Sequence, residues 1–264
     1  MLNVNLYLSL RHLGMSSVND MPMSRGFDHF FGTLNGALGY FSKRIGNSCN
    51  YNNPSIQDMF PILWGSNCYA IFGFDVNDDG RPALEEIGSG EHYTSLLGRK
   101  AVERISLHNS SDKPLFMYLA PTAPHSPLEV TGRAADKCRH VTTWPPSDTI
   151  NLRSMVCQLM AGVDEMIGDV ISALDAKGML QNTVFVYMSD NGGIKIFGSK
   201  NADLKGQKGS FFEGGVRIPG FISGFNIPAT EYDGLTFVTD IFATIATLAG
   251  IFIPFSFAFF WITF

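Results

Sequence analysis

A carboxylate and an amide stand side by side at the end of an apolar run, and their types suit a metal site. Asp190 and Asn191 follow the run 183–188 and precede Gly192 and Gly193. Carboxylate and amide oxygens are hard ligands that suit Ca²⁺ or Mg²⁺, and paired glycines let the backbone turn tightly beside a ligand. An Asx-type turn leaving a strand would use the same residue types. The local sequence leaves both interpretations open.

A second segment, residues 204–217, combines basic side chains with glycines. Lys205, Lys208 and Arg217 are interspersed with glycines at 206, 209, 214, 215 and 220. Backbone N–H groups of a glycine-rich loop, together with a lysine ammonium, can form an oxyanion site. Taken alone, the segment is more typical of a solvated loop.

Two histidines are candidates for acid–base or anion-binding work. His125 lies between Pro124 and Pro127, which restrict the loop around one imidazole. A fixed imidazole can bind an anion or act as a general acid. His12 is a second candidate, in the segment 11–14. Each histidine is also compatible with an ordinary surface position.

The elements that must position these residues alternate between strands and helices. Short apolar runs bounded by turn residues predict buried strands, and apolar residues at helical spacing predict helices with capping and stop signals. Residues 15–92 lack periodicity and are expected to form long loops with short elements. The predicted elements are a helix at 94–108, a strand at 113–120, a long helix at 152–174, a strand at 183–188, a strand at 216–223 and a helix at 239–249.

This order predicts an α/β fold with helices on both faces of a sheet. Ligands of such sheets bind at the carboxyl ends of the strands. His125 follows the first predicted long strand, and Asp190 and Asn191 follow the second. The three side chains are therefore expected at one edge of the sheet.

The bulk composition excludes some classes of protein. The chain has 264 residues, of which 45% are hydrophobic and 16% charged, which provides material for a buried core and argues against disorder. The formal net charge of −5 is spread along the chain. Because no basic surface is indicated, nucleic acid is not expected as a partner.

The four cysteines give no metal-binding spacing. Cys157 lies within the apolar pattern of the long predicted helix and is expected to be a core residue. Cys49, Cys68 and Cys138 lie in loop-like surroundings. One disulfide among these three is compatible with a secreted protein, but the sequence does not pair them.

Neither end of the chain predicts a signal peptide or a membrane-spanning segment. The start lacks a basic segment and a cleavage site, so no signal peptide is predicted. Residues 251–264 are almost wholly apolar, but the segment is short and Pro254 interrupts it. Membrane association is therefore not expected.

The order and spacing of these segments resemble those of the sulfatase family, in particular the arylsulfatase B-like enzymes. The resemblance covers most of residues 10–250. The matching segments are 12–14, 25–32, 113–128, 155–170 with Val163-Asp164-Glu165, 182–193, 205–217 and 237–241.

The resemblance implies a fold and a set of roles. The fold is alkaline-phosphatase-like, with a mixed, mostly parallel sheet flanked by helices. Asp190 and Asn191 match Ca²⁺ ligands, and Lys208 matches a lysine that bridges the sulfate and the nucleophile. His125 matches a histidine that contacts the sulfate and is a candidate proton donor to the leaving alcohol. His12 matches a histidine that hydrogen-bonds the nucleophile. The implied catalytic residues are thus His12, His125 and Lys208, and the last two also bind substrate.

The chain departs from the family pattern at its N-terminal side. The family nucleophile is a formylglycine made from cysteine in a C-x-P-S-R or C-x-A-x-R motif, and none of the four cysteines has that context. The aspartate pair that completes the Ca²⁺ site and the first strand of the sheet also find no match. We therefore expect an N-terminally truncated, partial catalytic domain over 1–250, half of one Ca²⁺ site, and an unrelated apolar tail over 251–264.

The expected function is that of a sulfuric ester hydrolase, with this chain an incomplete and inactive copy. Sulfate esters are the expected substrates, and sulfated glycosaminoglycans are the commonest theme of the family. The alternative is a non-catalytic sulfatase-like protein that binds sulfated glycans through Lys205, Lys208 and His125. A related phosphatase would need more aspartate and histidine ligands. The resemblance implies a lysosomal or secreted protein, with which the glycosylation acceptor Asn109-Ser110-Ser111 is consistent.

Overall fold

The computed structural model describes residues 5–10, 17–34, 38–45, 73–141 and 151–251. The secondary structure of these residues confirms the α/β class. The strands are β1 (Asn5–Leu10), β2 (His29–Thr33), β3 (Arg44–Ile45), β4 (Gly73–Phe74), β5 (Asn77–Asp78), β6 (Arg81–Pro82), β7 (Leu115–Tyr118), β8 (Val184–Met188) and β9 (Gly220–Gly224). The helices are α1 (Leu84–Gly88), α2 (Tyr93–Leu107), α3 (Leu152–Ala176), α4 (Glu213–Val216) and α5 (Val238–Leu248).

The largest sheet has the strand order β6-β5-β2-β1-β7. Strand β1 pairs in parallel with β2 on one side and with β7 on the other. The two-residue strands β5 and β6 extend the sheet in the antiparallel sense beyond β2. Two separate antiparallel pairs, β3–β4 and β8–β9, complete the described pairings. The largest sheet is therefore mixed, and a single, mostly parallel sheet stays a prediction.

Helices α2 and α3 form the packed centre of the described structure. Helix α2 buries Leu97, Ala101 and Ile105, the face that the sequence predicts. Gly98 allows close approach to α3, because a Cβ atom there would lie 3.0 Å from the Met166 side chain. Both predicted helices are confirmed, with ends within two residues of the expected ones.

The long helix α3 owes its ends to capping residues. The side chain of Asn151 accepts a hydrogen bond from the Ser154 N–H at 2.8 Å, which satisfies one of the free donors of the first turn. Gly178, with a φ of 66°, reverses the chain after the last turn. Between these ends, one face is buried against α2 and the strands, through Leu159, Val163, Met166, Val170 and Leu174.

Strands β7 and β8 belong to different sheets of the described structure, but both pack on these helices. Leu115 at the start of β7 and Phe185 near the start of β8 both contact the cluster around Ile105 and Leu174. The residues after β7 pack instead against the first half of α3, and the Arg153 guanidinium at its start donates to the Gly198 carbonyl after β8 at 3.4 Å. The described residues of β7 and β8 do not pair, so the expectation that the residues after both strands lie at one edge of a single sheet stays a prediction.

Three elements differ from the sequence-based expectation. Strand β1 was not predicted from the sequence. The expectation that the first strand of the family's sheet has no match in this chain is a separate one and stays a prediction. The third predicted strand begins at Gly220 rather than at residue 216. The reason is that Glu213–Val216 forms a helical turn, in which the Arg217 N–H donates to the Glu213 carbonyl at 2.9 Å.

The cysteine expectation was wrong in one respect. Cys157 is not a free core residue, because it forms a disulfide with Cys138, and their Cα atoms are 5.9 Å apart. The loop that follows β7 returns across the first turns of α3 and brings Cys138 to the helix, a tertiary contact that helical periodicity does not report. Cys49 and Cys68 lie outside the described residues.

No helix in the described ranges is long and apolar enough to cross a membrane. Residues 252–264, most of the predicted apolar tail, lie outside the described part of the chain. The division into a domain over 1–250 and a tail over 251–264 stays a prediction.

Candidate functional site

The turn after β8 presents two oxygen donors. Asp190 is exposed, and one of its carboxylate oxygens accepts a hydrogen bond from the Asn191 N–H at 2.8 Å. The side-chain amide of Asn191 donates to the Gly192 carbonyl at 3.0 Å. No described residue bonds to the second Asp190 oxygen or to the Asn191 side-chain oxygen. The segment therefore forms an Asx-type turn and still leaves one oxygen of Asp190 and one of Asn191 for a metal ion.

Gly192 joins this turn to the glycine-rich loop by direct backbone contact. Its N–H donates to the Gly215 carbonyl at 2.9 Å. A Cβ atom at position 192 would lie 1.9 Å from the Gly214 carbonyl oxygen, so no other residue fits without moving the backbone. The two motifs that the sequence showed separately are thus one packed unit.

The loop itself is held by short-range hydrogen bonds. Ser210 closes a turn by donating from its hydroxyl to the Gln207 carbonyl at 2.7 Å. The Gln207 side-chain oxygen accepts from the Lys195 N–H at 3.0 Å, and the Lys205 ammonium lies 4.1 Å from the centre of the Phe212 ring. The Lys208 side chain is half-buried, and no carboxylate of the described residues pairs with it. Its ammonium charge is therefore available to an anion.

The loop after β7 presents His125 on a supported backbone. The peptide bonds before Pro124 and Pro127 are cis, and the His125 N–H donates to the Thr122 carbonyl at 2.8 Å. The ring nitrogen Nδ1 lies 2.7 Å from the Ser126 carbonyl oxygen. Because a carbonyl can only accept, Nδ1 carries the proton, and Nε2 of the exposed ring is left for another partner.

Beneath this loop lies an aromatic platform that sequence reasoning missed. The buried Tyr40 hydroxyl donates to the His125 carbonyl at 2.9 Å, and the Tyr40 ring stacks on His92 with ring centres 4.7 Å apart. Burial raises the pKa of the Tyr40 hydroxyl well above its ordinary value, which keeps it a donor. No local motif marks Tyr40, because residues 15–92 show no periodicity.

His92 is held neutral within this platform. Its Nε2 lies 2.9 Å from the Glu129 carbonyl oxygen. Burial lowers the pKa of the His92 imidazole below its ordinary value, and the hydrogen bond to Glu129 partly opposes that shift. A neutral ring that donates through Nε2 is the form that this geometry favours.

The structure brings some of the predicted site residues together. Asp190 and Asn191 share one packed unit with the Lys208 loop, whereas no hydrogen bond or ion pair among the described residues joins His125 to that unit. His12 lies outside the described residues. Among the residues that are described, no cluster of three or more histidine, cysteine or acidic side chains forms a metal site. The roles of all five residues stay predictions.

Ligands of α/β folds bind beyond the carboxyl ends of the strands, which is where the Asp190 turn lies. The sulfatase family model matches residues 5–251, and the chain belongs to the sulfatase family. Arylsulfatase J of Mus musculus is 30% identical over 240 residues, which cover 90% of this chain and 35% of that protein. N-acetylgalactosamine-6-sulfatase of Mus musculus is 25% identical over 236 residues, which cover 87% of this chain and 40% of that protein.

A solved structure extends the likeness to the fold. The crystal structure of Ps i-CgsB in complex with k-i-k-neocarrahexaose superposes with a TM-score of 0.74 at 27% identity. That superposition covers 95% of this chain and 51% of that chain. The alkaline-phosphatase-like fold of the sulfatases is thereby shown. The chain spans only about a third to a half of the length of these relatives.

Proposed function

We propose that the domain to which this chain belongs hydrolyses sulfate esters, and that the chain as written binds the sulfate group without cleaving it. The observation that carries this proposal is the packed unit of the Asp190 turn and the Lys208 loop. It joins oxygen donors for a cation to the backbone of a lysine whose ammonium no described carboxylate neutralises. A cation held by these oxygens would, together with that ammonium, place positive charge around a tetrahedral anion.

The proposed roles follow from the chemistry of each group. The Lys208 ammonium would neutralise the equatorial oxygens of the sulfate and bridge to the nucleophile. Nε2 of His125, free while Nδ1 donates to Ser126, would hold a proton for the leaving alcohol oxygen. His12 would hydrogen-bond the nucleophile. Because the nucleophilic formylglycine has no match in this sequence, sulfate would be bound but not attacked.

The donor set fits half of a Ca²⁺ site. The free oxygens of Asp190 and Asn191 are of the type that Ca²⁺ prefers, but Ca²⁺ takes six to eight oxygen ligands. A bound cation would supply positive charge to the sulfate oxygens, and further ligands would have to come from polypeptide other than the described residues. We therefore expect weak Ca²⁺ binding by this chain alone.

The substrate class and location are proposed on separate grounds. The name of the relative N-acetylgalactosamine-6-sulfatase supports a sulfated glycan, glycosaminoglycan included, as substrate. The Cys138–Cys157 disulfide supports an oxidising compartment, lysosomal or secreted. Asn109 lies in an exposed turn, where a glycan could be attached.

An assay with an aryl sulfate tests the proposal directly. The chain as written should release no alcohol above background, whereas the full-length transcript, carrying a C-x-P-S-R segment upstream, should be active. An inactive full-length protein that keeps this segment would refute the proposed reaction.

The alternative, a non-catalytic sulfatase-like protein that binds sulfated glycans, makes a different prediction. Genomic sequence upstream of Met1 would then encode no C-x-P-S-R segment. The chain would still bind a sulfated glycan, and Lys208→Ala would weaken that binding.

A further inference from the structure

The side chain of Asn201 connects the two halves of the candidate site. Its oxygen accepts a hydrogen bond from the Gly193 N–H at 2.9 Å. Its amide nitrogen donates to the Gly193 carbonyl at 3.0 Å and to the Gly206 carbonyl at 3.3 Å. One side chain therefore bonds both the turn after β8 and the beginning of the glycine-rich loop.

The Gly193 carbonyl accepts two hydrogen bonds. It accepts the Asn201 amide and, at 3.4 Å, the N–H of Lys208 itself. Gly206 precedes Lys208 by two residues, so Asn201 fixes the loop just before the lysine while Gly193 fixes the lysine backbone. The Lys208 backbone is thus held to the turn after Asp190 in two ways, directly by the Gly193 carbonyl and indirectly through Asn201 and Gly206.

Asn201 has no donor left for a substrate. A side-chain amide carries two N–H donors, and both are used here by backbone carbonyls. The Asn201 oxygen accepts from Gly193 and lies within the same half-buried junction. These contacts assign the residue to the support of the site rather than to contact with an anion.

The junction also restricts which residues can stand here. A Cβ atom on Gly193 would lie 2.3 Å from the Ser199 Cβ, so the turn and the segment before Asn201 touch directly. Aspartate at position 201 would turn an acceptor towards two carbonyl oxygens, those of Gly193 and Gly206. Alanine would leave one N–H and two carbonyls of the junction without that partner.

We propose that Asn201 is a positioning residue that fixes the Lys208 backbone relative to the Asp190 turn, and thereby sets where the Lys208 ammonium can meet a sulfate group. This inference rests on the proposed function, because it assumes that Lys208 binds sulfate. Asn201 belongs neither to the turn of Asp190 and Asn191 nor to the glycine-rich loop, so the inference adds a residue to the candidate site.

The test measures binding of inorganic sulfate to the full chain by NMR titration at constant ionic strength. Lys208→Ala should weaken binding at least about tenfold, and Asn201→Ala about fivefold, which is the scale of one hydrogen bond to a positioned group. Asn182→Ala is the matched control, because Asn182 is exposed just before β8 and its side chain makes no bond among the described residues. That control should bind sulfate as the unchanged chain does.

A double variant separates a positioning role from a general loss of stability. If Asn201 acts through Lys208, then Asn201→Ala should change sulfate affinity little in a Lys208→Ala background. Thermal unfolding of each variant shows how much folded protein is present, and the affinity is measured on the folded fraction.

The possible failures are distinguishable. If the unchanged chain binds no sulfate, or Lys208→Ala binds it equally well, the proposed function fails and the positioning role fails with it. If Lys208→Ala weakens binding while Asn201→Ala does not, only the positioning role is overturned. Additive losses in the double variant would also overturn it.

Discussion

Two regions of this molecule differ in how far their apolar side chains are buried. In the helical half, which comprises α2, α3 and β7, Leu96, Leu97 and Ala101 are fully buried. In the C-terminal layer, which comprises residues 184–251, Leu235 is 99% and Phe242 73% exposed. Burial of apolar surface is the main source of folding free energy, so the helical half carries the stability. The candidate site lies on the boundary and depends on both regions.

The largest expected effect is in the core of the helical half. Leu97→Ala should lower the free energy of unfolding by about 3 kcal/mol, since it removes a fully buried side chain and leaves a cavity. Leu235→Ala, the matched change in the C-terminal layer, should alter it by less than about 0.5 kcal/mol. Urea unfolding followed by circular dichroism measures both values. Equal effects of the two changes would contradict the contrast between the regions.

The Cys138–Cys157 disulfide should contribute on a similar scale to the helical half. The bridge closes a segment with a sequence separation of 19, for which loop closure predicts about 3 kcal/mol. The double change to serine should lower the free energy of unfolding by that amount. Retention of the unchanged stability in the double variant, under conditions that leave the parent oxidised, would show that the bridge is dispensable.

A glycine in the C-terminal layer and one in the helical half should respond with opposite signs. Gly192→Ala forces a Cβ atom against the Gly214 carbonyl and should cost about 1–3 kcal/mol. Gly162→Ala in α3 meets nothing within 4 Å and should stabilise the helix by about 0.5–1 kcal/mol. Thermal unfolding of the two variants and the unchanged chain measures both effects. A stabilised Gly192→Ala variant would show that the backbone contact between Gly192 and Gly214 is not tightly packed.

Acid should weaken the helical half through His92. The pKa of the buried imidazole is lowered, so the unfolded chain takes up a proton below about pH 6.5 that the folded chain does not. The free energy of unfolding should therefore fall as the pH drops through that value. His92→Phe keeps the ring against Tyr40 but cannot titrate, so its stability should depend less on pH between 7.5 and 5.5. An unchanged slope would exclude His92 as the cause.

The C-terminal layer should govern association rather than stability. Exposed apolar surface of this extent promotes self-association, and we expect the isolated chain to be poorly soluble. Leu235→Gln with Phe242→Gln should reduce association without loss of unfolding free energy. Size-exclusion chromatography and light scattering report the change. A clean monomer peak from the unchanged chain would count against this prediction.

The sequence predicted best where local pattern and tertiary packing agree. The apolar periodicity of 152–174 predicted α3 closely, because its buried residues recur at helical spacing. The run 183–188 predicted the position of β8, although the five residues of that strand are half-buried rather than buried. The contact between the Asp190 turn and the Lys208 loop was an expectation from family resemblance, and the structure places them together. Their roles are still to be tested.

What the sequence did not predict depends on contacts between distant residues. Asn201 and Tyr40 act by bonding backbone groups of other segments, and a single asparagine or tyrosine in a loop gives no signal of that. Cys138 and Cys157 lie in a loop and a helix, so their pairing appears only when the loop is seen to return over the helix. Strand β1 was missed because its ladder partners lie far along the chain.

The place of β1 in the sheet has a consequence for how the molecule assembles. Asn5 pairs beside Leu115, about 110 residues later, and β1 also carries β2 on its other side. Contacts between residues so distant in sequence slow folding, since a long loop must close before they form. Helices α2 and α3 can associate earlier, so newly made protein would pass through a stage in which β7 has no ladder partner, and at that stage a chaperone would be most useful.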